Sequence, residues 1–380
     1  GTTCSGSRLF QALHHRIFGD SKKELMKKIV YLFPTNRRRL VEEVENDISP
    51  DNSLYGFNHL QNSYQVEQAE ISPDFERILN ILFLPVAWIF GSRYTKLNFG
   101  RVILALPQFW QVDTVVTCVD SINKAAAVLK KLKLFSAHLT CMAGNVMDGT
   151  EKFSRLHQWL WSGVDKVVTH APVDQEKLAR LGLGDRGIMI PVGSDKRFWH
   201  SIERKVSDAL QLVVSVGADR DRDYRTLFLA AEQMPKLKFI ACCGQDNIRG
   251  LNIPENVEVR LNVSALATRE ILSKAKMAVL PLRETHRASG QLSMLDAMLM
   301  EKPVIISKTR GAIEPYGLDD GKNVLLVPAG NVESLVQAIE KLKNNGDLRR
   351  ELENVGRNLV LGYTTEKYAA KLKKIVFASD

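Results

Sequence analysis

The sequence predicts an α/β protein of two doubly wound domains, and three observations carry that prediction. Its 380 residues exceed what one hydrophobic core usually fills, since a domain takes about 150. Short β-rich runs alternate with longer stretches of helical periodicity, the rhythm of parallel strands joined by crossover helices. That rhythm stops in a polar segment at 193–208 and restarts at Gln211.

In the first half, residues 28–33 (KIVYLF) read as a buried parallel strand stopped by Pro34. Further strands are expected at 64–67, 114–118, 138–142, 166–169 and 188–191, with helices at 121–134, 151–161 and 174–181. In the second half the strands fall at 211–217, 238–242, 257–260, 277–282, 303–307 and 323–327, and the helices at 224–233, 268–274, 291–300 and 333–343. The organisation is then a tail at 1–25, a first domain at 26–195, a second at 196–361, and a carboxyl-terminal helix within 362–380 that packs back on the first. No internal repeat of about 20 to 50 residues is present, which sets aside solenoids and propellers.

Hydrophobic residues at 45% and charged residues at 25% are ordinary for a globular chain and exclude whole-chain disorder. A net charge of +9 suits anionic partners. Nucleic acid is not expected, because Tyr94 and Phe99 alone do not interleave the basic residues with stacking surfaces. Five scattered cysteines without a C-x-x-C pair point to a reducing, cytoplasmic setting and to no zinc site. The longest apolar run, 78–90, is broken by Asn80 and Pro85 and is shorter than the about 20 residues of a membrane span. It does stand among basic residues (Arg37, Arg38, Arg39, Arg93, Lys96, Arg101), a pattern that suits peripheral docking on an anionic membrane surface.

In open parallel sheets ligands bind beyond the carboxyl ends of the strands, which directs attention to the loops after 216, 242, 282 and 307. The richest is 281–298. There a strand ends, a polar loop turns, and Ser289-Gly290-Gln291 opens a helix. Ser289 can cap it and Gly290 lets an anion approach free backbone N–H groups at the positive end of the dipole. A plain helix cap would explain the same two residues without a ligand. Asp296, almost two turns on, shares the face of Ser289 and could reach a sugar hydroxyl. Gly217 is not part of a G-x-G-x-x-G run, so redox chemistry on a dinucleotide has no support.

The stretch SGQLSMLDAMLMEKPVII, the strand AVLPL before it and GAIEPYGLDDGKNVLLVPAGNVESLVQAI after it resemble the carboxyl-terminal half of GT-B glycosyltransferases of glycosyltransferase family 4. VVSVGADRDRDYRTLFLAAEQMPKLKFIACCG is similar to that family's first donor-domain unit, and VGSDKRFW to its interdomain segment. The resemblance implies two Rossmann-like domains facing across a cleft, a nucleotide-diphosphate sugar as co-substrate with no cofactor, and retention of configuration at the transferred sugar. It covers about 167–361, while the first half matches only in its order of elements. By this likeness the donor phosphates fall to Gly217, Arg220, Arg222, Ser289, Gly290 and Gln291, and the ribose to Asp296. Gly311 and Glu314 would face the donor sugar, and Gly244, Asn262 and Val263 the base. Asp120, Glu284 and His286 are the catalytic candidates, although a helix cap explains Asp120 equally well.

Two departures stand out. Where the family carries two glutamates eight positions apart, this chain has Ala288 and Asp296, and where a basic residue usually follows the loop glycine it has Ala218. No metal is expected, since a helix amino terminus and arginines would stabilise the leaving diphosphate instead. The acceptor would be a glycan or a lipid-linked molecule held by the first domain. The rival readings are a nucleotide-sugar epimerase of similar fold and a non-catalytic nucleotide-sugar-binding homologue.

Overall fold

A computed structural model describes residues 26–85, 97–143, 154–200, 212–285 and 287–377. It contains two six-stranded sheets, parallel throughout. The first comprises β1 (Lys28–Leu32), β2 (Gln65–Gln68), β3 (Thr114–Cys118), β4 (His138–Ala143), β5 (Lys166–Thr169) and β6 (Gly187–Met189), in the order β2-β1-β3-β4-β5-β6. The second comprises β7 (Leu212–Val216), β8 (Lys238–Cys243), β9 (Val257–Leu261), β10 (Met277–Leu280), β11 (Val304–Ser307) and β12 (Leu325–Val327), in the order β12-β11-β10-β7-β8-β9. Every strand expected from the sequence is present, with ends shifted by a few residues. Burial on both faces explains why they were legible: Val30 and Leu32 enter one core while Ile29, Tyr31 and Phe33 enter the opposite one. Val213 and Val214 divide in the same way between the two cores of the second sheet.

Helices α1 (Arg38–Glu45), α2 (Pro73–Leu82), α3 (Phe99–Phe109), α4 (Asp120–Lys131), α5 (Ser154–Trp161) and α6 (Pro172–Arg180) belong to the first domain. Helices α7 (Tyr224–Glu232), α8 (Ala265–Lys274), α9 (Gln291–Leu299), α10 (Val332–Asn344) and α11 (Gly346–Val360) belong to the second, and α12 (Thr365–Lys373) returns to the first. The chain crosses between domains at 192–195 and again at 363–365, and the crossings lie side by side: Ser194 N donates to Tyr363 O at 3.0 Å, and Thr365 N to Ser194 O at 3.1 Å. Phe198 and Trp199 already pack in the second core. After the return, Tyr368, Leu372 and Val376 join the first domain's core beside Tyr31 and Phe57.

Helices α1, α2, α3 and α11 were not expected. No residue of α2 is buried: its apolar residues Phe75, Ile78 and Leu82 stand at helical spacing but are exposed. Helix α3 carries Pro107 inside it and buries Arg101.

That burial corrects one sequence expectation. Arg101 is 3% exposed, donates from Nε to Phe33 O at 2.5 Å and from Nη2 to Asn36 Oδ1 at 2.9 Å, and pairs with Glu76. It is a structural cation and cannot contact a leaflet. Arg93 and Lys96 lie outside the described residues. Within the apolar run Ile78, Ile81 and Leu82 are more than half exposed, while 86–90 lie outside the described residues. Among the described residues no helix is long and apolar enough to cross a membrane.

Candidate functional site

Between the carboxyl edges of the two sheets lies a cavity of about 390 Å³ lined by both domains. Its second-domain wall starts at the turn after β7. Gly217 has φ +144°, and a Cβ there would stand 2.2 Å from Arg222 Nε, so the guanidinium packs directly against the glycine backbone. Arg222 is 3% exposed. Its Nε donates to Asp219 Oδ2 at 3.1 Å and its Nη2 to Ser293 Oγ at 2.7 Å, while the buried Nη1 has no hydrogen-bond partner. An unsatisfied charged donor is costly unless a ligand completes it. Burial alone would raise the Asp219 carboxyl; the charge of Arg222 and the Ser289 hydroxyl outweigh it and hold the group below the ordinary value.

The first turn of α9 forms the next part of this wall, through Gly290, Gln291, Leu292 and Ser293. Gly290 is the helix cap itself, left-handed at φ +78°, and a Cβ would meet Leu282 at 3.0 Å. Two expectations for this motif are corrected. Ser289 does not cap the helix but donates its hydroxyl to Asp219 Oδ1 at 2.7 Å, tying the two loops together. The Gln291 amide is not free for phosphate: it donates to Gly311 O at 2.7 Å and, across the cleft, to His170 O at 3.4 Å. What the motif leaves for an anion is the backbone N–H groups of the first turn. Gly311 supports the loop from below, where a Cβ would fall 1.9 Å from Arg287 O.

The first-domain wall is made of side chains. Tyr55, in a left-handed conformation at φ +49°, stacks on His170 with ring centroids 6.3 Å apart, and Tyr368 stands tilted against the same imidazole at 6.1 Å. His170 Nδ1 lies 3.0 Å from Ile190 O; a carbonyl only accepts, which places the proton on Nδ1 and leaves Nε2 an acceptor. Burial lowers the imidazole pKa, so the ring is neutral. Asn52 and Ser53 complete this side.

The remaining expected residues are placed as follows. Arg220 is exposed and outside the cavity lining, so the loop offers Arg222 alone. Glu284 is also exposed and outside, because Arg283 N and Thr285 Oγ1 anchor its loop on Asp221. His286 lies outside the described residues. Glu314 accepts from Arg310 Nε at 2.6 Å and lies outside the cavity lining, and Arg310 also bridges to Glu176 of the first domain at 2.7 Å. Asp296 turns to the domain crossing, where Ser194 Oγ donates to it at 2.5 Å, and does not line the cavity. Burial pushes its carboxyl up to about 7, against hydrogen bonds from Ser194 and Asn52. Asp120 is buried at the start of α4, away from the lining. Gly244 stands beside Ala218, with Asn262 and Val263 at the end of β9, all outside the lining.

Sequence reasoning missed Asp219, Tyr55, His170 and Arg287, which lines the cavity and pairs with Asp221 at 3.2 Å. His170 stands directly after the strand ending at Thr169, and Asp219 and Arg287 stand in the loops after 216 and 282, so strand ends signalled all of these but Tyr55.

Residues 210–345 match the family model described as Glycosyl transferases group 1, which places the match in the second domain. No curated protein matches the chain. Among solved structures, a glycosyltransferase from Rickettsia africae superposes with a TM-score of 0.64 at 13% identity, over 93% of this chain and 98% of that one. Sucrose-phosphate synthase from Thermosynechococcus elongatus gives 0.67 at 14% identity, over 92% and 98%. Anabaena HepE in complex with UDP-glucose gives 0.64 at 14% identity, over 91% and 98%. At these identities the likeness establishes the fold, GT-B. Family match and fold together support a glycosyltransferase.

Proposed function

We propose that the chain moves a sugar from a nucleoside-diphosphate sugar, held in the interdomain cavity, to a glycan or lipid-linked acceptor on the first domain. In that reaction the bond from the anomeric carbon to the diphosphate oxygen breaks, its electron pair leaving with the diphosphate. The acceptor oxygen forms the new bond and passes its proton to the departing diphosphate. The developing charge would fall where a helix amino terminus and Arg222 converge, which is the electrostatic stabilisation such a step requires. The observation that carries this reading is the buried Arg222 Nη1 without a partner beside the first turn of α9. On this arrangement the chemistry needs no metal, and by family resemblance it retains configuration. The UDP-glucose bound by HepE makes uridine donors the first to try. A cytoplasmic setting with peripheral attachment to membrane remains part of the proposal.

Thermal shift and calorimetry with nucleoside diphosphates test the donor half. At a ligand concentration of 100 Kd the melting transition gains about 2.7 kcal/mol of stability. A nucleoside diphosphate should stabilise the wild type, and a matching nucleotide sugar with a glycan or lipid-linked acceptor should release the diphosphate. No stabilisation by any nucleoside diphosphate would contradict the reading.

A further inference from the structure

We infer that the transferred sugar is uncharged, and that Asn52, Ser53 and Tyr55 of the first domain recognise its hydroxyl groups. The inference rests on the proposed transfer reaction, in which the diphosphate lies against the second-domain wall. Among the described residues the charged side chains that line the interdomain cavity are Asp219, Arg222 and Arg287, all of the second domain. Arg222 holds the diphosphate in that reaction, and Arg287 pairs with Asp221 at 3.2 Å. The described lining from the first domain contains no Asp, Glu, Lys or Arg. Its histidine, His170, is 6% exposed, has Nδ1 on the Ile190 carbonyl and is kept neutral by burial. The wall that faces the diphosphate site is therefore polar and without charge.

That wall is also rigid, with hydrogen-bonding capacity to spare. Asp51, 4% exposed, pins its start: its N donates to Asp195 Oδ2 at 3.1 Å, and its Oδ2 accepts from Asn58 Nδ2 at 2.8 Å and meets His59 Nε2 at 2.7 Å. Tyr55 and Gly56 are left-handed in succession, at φ +49° and +82°. Strain of this kind persists only where the surroundings over-determine it, and it gathers at ligand sites. Here the Tyr31 hydroxyl donates to Tyr55 O at 3.1 Å, and a Cβ on Gly56 would meet Ala369 Cβ at 3.2 Å. The strained turn holds Tyr55 in the cavity wall, stacked on His170. Its phenol oxygen makes no hydrogen bond among the described residues, and Asn52 Oδ1 has no partner either. Ser53 stands exposed between them. Such unpaired amide and hydroxyl groups suit sugar hydroxyls, which both donate and accept. A uronate carboxylate in the same place would lose water and meet no cation.

Calorimetry with UDP, UDP-glucose and UDP-glucuronate tests this on the whole chain. The wild type should bind UDP-glucose about tenfold or more tightly than UDP-glucuronate. Tyr55→Phe and Asn52→Ala should each weaken UDP-glucose about two- to tenfold and leave UDP unchanged. Ser53→Arg, which puts a cation on the wall at an exposed position, should raise UDP-glucuronate affinity and narrow the gap. Should Asn52→Ala not fold, Tyr55→Phe, which keeps the ring, and Ser53→Arg still decide. UDP-glucuronate bound by the wild type as tightly as UDP-glucose would overturn the inference. So would unchanged UDP-glucose affinity in the Tyr55 and Asn52 variants, or a loss of UDP affinity as large as that of UDP-glucose. Titrating UDP and GDP alone separates the two claims. If GDP binds in place of UDP, GDP-mannose and GDP-mannuronate replace the uridine pair. If neither diphosphate binds, the donor reading fails and the inference falls with it, whereas diphosphate binding without discrimination between the sugars overturns the inference alone.

Discussion

The two walls of the interdomain cavity are built by different means. On the second-domain side the surface is largely backbone with two arginines: the first turn of α9, Gly217 pressed against Arg222, and Arg287, whose carbonyl packs against Gly311. On the first-domain side it is side chains on loops, with Tyr55 and His170 stacked and Tyr368 behind. A backbone wall suits what all such donors share, a diphosphate, and fixes the sequence around it; a side-chain wall can change with the sugar and the acceptor. The family match accordingly falls on 210–345.

Several substitutions would break or sharpen this contrast. The largest effect is expected from Arg222→Gln, which removes charged hydrogen bonds worth about 1.5–3 kcal/mol and should lower nucleoside-diphosphate affinity about tenfold to a hundredfold by calorimetry. Gly290→Ala comes next. A non-glycine residue at φ +78° costs about 1–2 kcal/mol, seen as a lower unfolding midpoint in urea, with weaker diphosphate binding in parallel. His170→Ala probes the other wall and should weaken a nucleotide sugar several-fold while leaving the nucleoside diphosphate alone unaffected. The smallest effect belongs to Glu314→Gln, whose ion pair with Arg310 is exposed and screened by solvent, so donor affinity should stay unchanged.

Asp296 gives a pH signature. Its folded-state carboxyl titrates at about 7, whereas an unfolded aspartate loses its proton near about 4. Between these values the folded chain holds a proton that the unfolded chain lacks, so stability falls as pH rises through that window. Burial and the charge of Asp51 shift Asp195 in the same direction, while Asp51 itself is shifted down and acts only at lower pH. Asp296→Asn should therefore flatten the decline in melting temperature from pH 4 to 7. An unchanged slope would show that the carboxylate is not held as described.

What the sequence revealed follows from range. Strands of a parallel sheet declare themselves locally, since both faces are buried, and Ser289-Gly290-Gln291 was visible as a strand end followed by a helix start. The roles within that motif were not visible. Ser289 depends on Asp219, 70 residues away, and Gln291 on Gly311 and on the His170 carbonyl, 20 and 121 residues away. Glu314 did carry a local signal, since Arg310 stands four residues before it at ion-pair spacing. Arg101 read as a surface cation because its partner Glu76 lies 25 residues upstream.

The central claim is that a donor diphosphate sits against the first turn of α9 and Arg222. A crystal structure with a bound nucleoside diphosphate tests it most directly. The account predicts phosphate oxygens within hydrogen-bond distance of the backbone N–H groups of Gln291 or Leu292 and of Arg222 Nη1. Phosphates bound elsewhere, with Arg222 Nη1 still unpartnered, would contradict it.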